Sequence, residues 1–252
     1  MKLKKLFGFA AVAALSVAAL AACAPSSSTS SSDDSTNTLK VGIMTQTDAT
    51  EQLWDKVSEN AAKEGITLEF VEFTDYSQPN KALANGEIDV NAFQHYNFLN
   101  NWNTENNGDL VAAADTLISP LRIFSGLDGD KVKYTDISEL PDGAVVSVPN
   151  DVTNESRALY LLQAAGLIKL DVSGEELATI TNIVENPKNL DIKELDASQT
   201  AATRTSVDAA IINNNYAVDA GVDYATVLFK EEITAESKQW VNVIAAQKDW
   251  ES

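Results

Sequence analysis

Arginine occurs only three times in this chain of 252 residues, which otherwise uses lysine as its cation. One of the three, Arg157, closes the segment Pro149-Asn150-Asp151-Val152-Thr153-Asn154-Glu155-Ser156-Arg157. Its planar fork can clamp a carboxylate through two hydrogen bonds, and the N–H groups of a helix start add partial positive charge. The alternative is a surface arginine paired with Glu155 or Asp151. Asn213 follows the apolar run ending Ile211-Ile212, where an amide can accept from an ammonium or donate to a carboxylate; helix capping by one of Asn213, Asn214 and Asn215 is the competing role. Tyr76, in Asp75-Tyr76-Ser77-Gln78-Pro79-Asn80, joins Phe93, His95 and Tyr96, in Asn91-Ala92-Phe93-Gln94-His95-Tyr96, as aromatic wall material. Such walls hold an apolar or thioether side chain, with sulfur–aromatic contacts worth about 0.3–1.5 kcal/mol. Core packing is the competing role for Phe93 and Tyr96, and a satisfied loop histidine for His95. An aromatic slot, one arginine and amide partners make a receptor for a zwitterion with an apolar side chain.

Catalysis finds few parts. No GxSxG elbow, Walker A loop or GxGxxG turn is present. His95 is the sole histidine and Cys23 the sole cysteine, too few for a Cys/His metal site, a disulfide framework or an internal Cys–His dyad. No enzyme activity, cofactor or metal is expected. Glu69/Glu72 and Glu175/Glu176 read as solvated surface in so acidic a chain. With 37 Asp and Glu against 18 Lys and Arg, the formal charge is −19, and no basic patch exists to release counterions from nucleic acid. Hydrophobic residues make up 44% and charged residues 22%, ordinary globular composition.

Residues 1–22 read as a signal peptide: Lys2, Lys4 and Lys5 precede an apolar run from Leu6 to Leu20. Leu20-Ala21-Ala22-Cys23 has the form of a bacterial lipobox, which makes Cys23 the acylated first residue of the mature protein. Residues 23–38 are that cysteine and a polar Ser/Thr-rich tether. Two acyl chains give stable anchoring where one does not. The expected location is the extracytoplasmic face of a bacterial cell membrane, contacted through the lipid alone.

From Leu39 onward strands and helices alternate. Strands are expected at 39–44, 67–73 and 88–93, with further apolar segments at 116–124, 144–148, 207–212 and 241–246. One helix opens with Asp48 and Glu51 in capping-box spacing, and another runs over 153–165 with Ala158, Leu161, Leu162 and Ala165 as its core stripe. The pattern predicts an α/β protein with largely parallel sheets. Two lobes suit the length better than one, with ligand chemistry in the cleft between them at the carboxyl ends of strands.

Four ordered blocks then carry a resemblance. FTDYSQPNKALANGEIDVNAFQHYNFL (73–99), VPNDVTNESRALYLLQAAGLIKL (148–170), ENPKNLDIKELDASQ (185–199) and DAAIINNNYA (208–217) resemble the NlpA/MetQ family of methionine-binding lipoproteins. The resemblance covers about Leu39 to Val243. It implies a two-lobed periplasmic-binding-protein-like fold of type II. Lobe 1 would be 39–117 plus 223–252, and lobe 2 would be 118–222. It further implies capture of L- or D-methionine and delivery to the permease and ATPase complex of an ABC importer. Carried over by motif, Arg157 would clamp the ligand carboxylate, and Asn213 would hold the head group with Asn154 as a further polar contact. Tyr76, Phe93 and His95 would enclose the side chain, supported by Tyr96.

The sequence departs from the family pattern at three places. Val152 stands where proline is usual, which is expected to loosen that loop. Asn214 replaces a glycine or small residue, which is expected to narrow the pocket or alter specificity. The sequence ends at Ser252, where the family typically continues through about two helices, so part of lobe 1 is expected to be uncovered. Two other functions compete: the same fold binding another small apolar amino acid or a methionine-containing peptide, and a tethered surface interaction protein without a transport role.

Overall fold

The computed structural model describes residues 37–174 and 176–250. The expected signal peptide, Cys23 and the tether up to residue 36 lie outside the described residues. Ten strands build two five-stranded sheets, each with helices packed against it. The first sheet contains β1 (Asn37–Met44), β2 (Ile66–Phe73), β3 (Val90–His95) and β4 (Val111–Asp115). The chain then crosses to the second sheet, formed by β5 (Arg122–Ser125), β6 (Val145–Pro149), β7 (Asp191–Leu195), β8 (Ala209–Ile212) and β9 (Val227–Lys230). It returns to the first sheet as β10 (Asn242–Ala246). The strand orders are β2-β1-β3-β10-β4 and β7-β6-β8-β5-β9.

Three expectations need correcting here. The sheets are mixed rather than largely parallel. β10 inserts antiparallel between β3 and β4, and β5 lies antiparallel between β8 and β9. These are the strands that enter or follow the crossings, so they run against the βαβ units beside them. The return crossing also comes later than residue 223, because β9 pairs with β5 and stays in the second sheet. In addition, β1 starts at Asn37 and takes in the last two residues assigned to the tether.

Five helices cover the sheets: α1 (Asp48–Lys63), α2 (Pro79–Ala84), α3 (Tyr96–Asn106), α4 (Val152–Ala164) and α5 (Asn214–Asp219). The capping box of α1 is Thr47 with Thr50, one residue before the expected pair, and Asp48 and Glu51 instead place their charges in the first turn near the positive end of the helix dipole. Alternation along the second sheet sorts its core into two layers. Ile123, Val146, Val148 and Ile211 face α4 through Leu159 and Leu162, whereas Phe124, Ala210 and Ile212 face α5 through Tyr216 and Ala217. Each fully buried aliphatic side chain contributes about 1.5–3 kcal/mol, so α4 is held firmly and its first turn is a rigid platform. Val152 occupies the first position of α4 and is partly exposed, while Asp151 caps the helix by accepting from Asn154 N–H at 3.0 Å. Loosening is therefore not observed. The missing proline would only have removed an N–H that a helix start leaves unpaired anyway.

Candidate functional site

Loops leaving the carboxyl ends of β1, β2, β3, β6 and β8 converge between the sheets, where parallel α/β units gather their ligand-facing residues. They line a cavity of about 260 Å³, just below the roughly 300–1,000 Å³ of drug-sized ligand sites. The first lobe contributes apolar and aromatic surface, including Met44, Trp54, Tyr76, Phe93 and Phe98. The second contributes Asn154, Arg157 and Asn213. Among the described residues the lining holds one permanent cation, Arg157, and no carboxylate. The lobes touch directly across the cleft. Tyr76 Oη donates to Asn215 Oδ1, and the Tyr76 and Tyr216 rings lie 4.9 Å apart.

Arg157 sits in the second turn of α4 and is 5% exposed. Its internal partner is neither Glu155 nor Asp151 but Glu231, just after β9. Nε donates to Glu231 Oε1 at 2.9 Å, and Nη2 donates to Glu231 Oε2 at 2.6 Å and to the Ser119 carbonyl at 2.9 Å. Glu231 Oε2 also accepts from Leu121 N–H at 2.9 Å. One edge of the fork therefore fastens α4 to both crossing segments. Nη1 has no hydrogen-bond partner among the described residues, which makes it the donor left for a ligand. The Trp240 ring lies 5.0 Å below the guanidinium carbon and completes the setting.

Asn154 and Asn213 form an amide chain in the cavity wall. Asn154 Nδ2 donates to both oxygens of Asp151, at 2.9 and 3.0 Å, and Asn154 Oδ1 accepts from Asn213 Nδ2 at 2.7 Å. Asn213 Oδ1 is then left buried without a partner, the sole such side-chain atom among the described residues. A buried acceptor in this state costs roughly 1–3 kcal/mol until a donor reaches it. The capping role does not apply, because Asn213 stands at the N-cap of α5 but its side chain makes no capping bond.

His95 ends β3 and caps α3, its Nδ1 accepting from Phe98 N–H at 3.1 Å. That bond leaves the proton on Nε2, which lies 3.5 Å from Asn154 Oδ1. Burial, reinforced by the Arg157 charge, lowers the His95 pKa to about 3, so the ring is neutral at physiological pH. Tyr76, Phe93 and Phe98 pack as a cluster with centroids 5.6–5.9 Å apart. Behind them, fully buried Asn80 and Asn91 and nearly buried Gln94 exchange amide hydrogen bonds of 2.6–2.9 Å, tying α2 to β3 and fixing where Phe93 and His95 point.

The structure does not bring Tyr96 to the cavity. As the first residue of α3 it turns away toward the first lobe's core, and its hydroxyl donates to Asp115 at 2.6 Å. Asn214 does line the cavity, but its Oδ1 is occupied by Tyr224 Oη at 2.6 Å and Arg122 Nη1 at 3.3 Å. Reasoning from sequence missed Phe98, Trp240 and Glu231. Phe98 was within reach as the next aromatic in the Phe93–Tyr96 block. Glu231 is one of 37 acidic residues and carries no local signal.

Against known proteins, residues 39–252 match the model of the NlpA lipoprotein family. The chain belongs to the NlpA lipoprotein family. A relative, the probable D-methionine-binding lipoprotein MetQ of Pasteurella multocida, is 39% identical over 254 residues, covering 99% of this chain and 87% of that protein. The crystal structure of the substrate-binding protein of a methionine transporter from Streptococcus pneumoniae is 61% identical and superposes with a TM-score of 0.82, covering 85% of this chain and 82% of that one. A nutrient-binding protein from Burkholderia cenocepacia, solved bound to methionine, is 39% identical with a TM-score of 0.76, covering 85% of this chain and 87% of that one. The fold of this NlpA-family chain is thus the two-lobed substrate-binding fold.

Proposed function

We propose that this chain is a lipid-anchored receptor that captures free methionine outside the bacterial cytoplasmic membrane and hands it to the permease and ATPase complex of an ABC importer. Cys23 would carry the lipid. Residues 37–115 with 242–250 would form one lobe and 122–230 the other. Among the described residues, the unpartnered acceptor Asn213 Oδ1, in a cavity whose lining has one cation and no carboxylate, carries the reading. A zwitterion answers both needs. Its ammonium donates to Asn213 Oδ1, its carboxylate accepts from Arg157 Nη1, and the Tyr76, Phe93 and Phe98 cluster with His95 takes the thioether. The small cavity favours one amino acid over a peptide.

The test is calorimetric titration of the refolded, ligand-free mature chain (residues 23–252) with each amino acid. Methionine should bind one to one. Asn213→Ala and Arg157→Lys should each lose about 2–5 kcal/mol, roughly thirtyfold or more in affinity. Lysine keeps a cation beside Glu231 but lacks the third nitrogen of the fork. Wild-type affinity in both variants would sink the site, and a chain that binds no amino acid would sink the receptor.

A further inference from the structure

Asn213 offers an acceptor to the cavity because the residues behind it leave no other orientation. A carboxylate has only acceptors. Asp151 takes the Asn154 Nδ2 group on both of its oxygens, at 2.9 and 3.0 Å, which turns Asn154 Oδ1 to the opposite side. There Asn213 must present Nδ2, at 2.7 Å, and so must point its own Oδ1 into the cavity. The His95 Nε2–H, held in that tautomer by the cap on Phe98, lies 3.5 Å from Asn154 Oδ1 and favours the same direction at longer range. With both amides reversed, Asn154 Oδ1 would face the two oxygens of Asp151, and Asn213 would aim an N–H donor at the ligand.

We propose that Asp151, which does not line the cavity, is a positioning residue that makes the site select an α-ammonium over an α-keto group by fixing the direction of the Asn154–Asn213 amide chain. An α-ammonium supplies the donor that Asn213 Oδ1 lacks. An α-keto oxygen at the same place meets that oxygen as a second acceptor and is repelled. Asp151 thereby determines a specificity without touching the ligand. This inference rests on the receptor reading of the site.

The experiment compares L-methionine with its α-keto analogue, 4-methylthio-2-oxobutanoate, on the mature chain by calorimetric titration. The variants are Asp151→Asn and Asp151→Ser. Both replacements are good helix caps, so the start of α4 survives in each. Asparagine is isosteric but carries a donor as well as an acceptor, which lets the chain run either way. Serine keeps the cap and withdraws the partner of Asn154 Nδ2. Wild type should bind methionine far better than the keto acid. In both variants methionine affinity should fall by about tenfold or more, the worth of one buried hydrogen bond to a charged group. The keto acid should hold or gain affinity, so the ratio between the two ligands collapses. An unchanged ratio in either variant that melts cooperatively, or an equal loss for both ligands, would overturn the inference while methionine binding by wild type still stood. A wild type blind to methionine would overturn the receptor reading and this inference with it.

Discussion

Glu231→Ala removes a carboxylate that forms two hydrogen bonds with Arg157 and one with the Leu121 amide. The Arg157 side chain is 6% exposed and that of Glu231 15%, so the pair is largely out of water. Breaking a buried pair by removing one partner costs about 3–5 kcal/mol, because the remaining charge is left uncompensated. The orphaned Leu121 N–H pushes the cost toward the upper end of that range. The Lys169–Glu185 pair supplies the control. Its N···O distance of 2.8 Å is comparable, but the two side chains are 63% and 61% exposed. Such a pair contributes about 0–1 kcal/mol, since water screens it and two long side chains must be ordered. Urea unfolding of both variants, with the denaturant slope checked for two-state behaviour, measures the difference. In a melt, Glu231→Ala should fall by about 6–20 °C and Glu185→Ala by no more than about 4 °C. If Glu231→Ala costs no more than Glu185→Ala, then Arg157 is solvated in solution and the argument that its Nε edge fastens the two crossings fails.

The remaining predictions concern His95 and Tyr96. The His95 pKa of about 3 lies below the ordinary value of 6.5, so between those limits the unfolded chain binds a proton that the folded chain refuses. Stability from this residue is therefore intact above pH 6.5 and is lost as pH falls, by about 2 kcal/mol at pH 5. His95→Asn, which can still cap α3, should remove that part of the pH dependence; parallel stability curves for variant and wild type between pH 7.5 and 5 would contradict it. Tyr96→Phe should leave methionine affinity within about twofold and cost under about 1 kcal/mol, because its hydroxyl bonds an exposed Asp115 outside the cavity. A tenfold weaker titration would return Tyr96 to the site.

Much of the architecture was legible because it is written in short-range periodicity. Alternation in Thr67–Phe73 and the apolar run before Asn213 mark strands, and the stripe on α4 marks its buried face. What escaped depends on pairings between distant residues. Nothing in the Val227–Lys230 run says that it joins β5 and not the first sheet, since that is decided by which edge remains open once β8 and β5 have paired. Tyr96 is a different case: the period of 2 in β3 puts Phe93 and His95 on one face and the residue after His95 on the other, so the local pattern already pointed Tyr96 away from the cavity.

Arg157 shows how the limit set by distant pairings arises at the site itself. Read from sequence, it was either a clamp for a ligand carboxylate or an arginine paired within the protein, as though one role excluded the other. A guanidinium has five N–H donors on three nitrogens in a rigid plane. Glu231 and Ser119 engage two of those nitrogens, while the third keeps its hydrogens unpartnered among the described residues. The internal pair holds the plane still, and a plane held still presents Nη1 without the rotamer entropy that a free arginine would lose on binding. Lysine, with one freely rotating ammonium, cannot divide itself in this way. That explains why a chain rich in lysine places one of its few arginines here. The partner that makes the division possible lies 74 residues away on a crossing segment, so only the folded chain could reveal it.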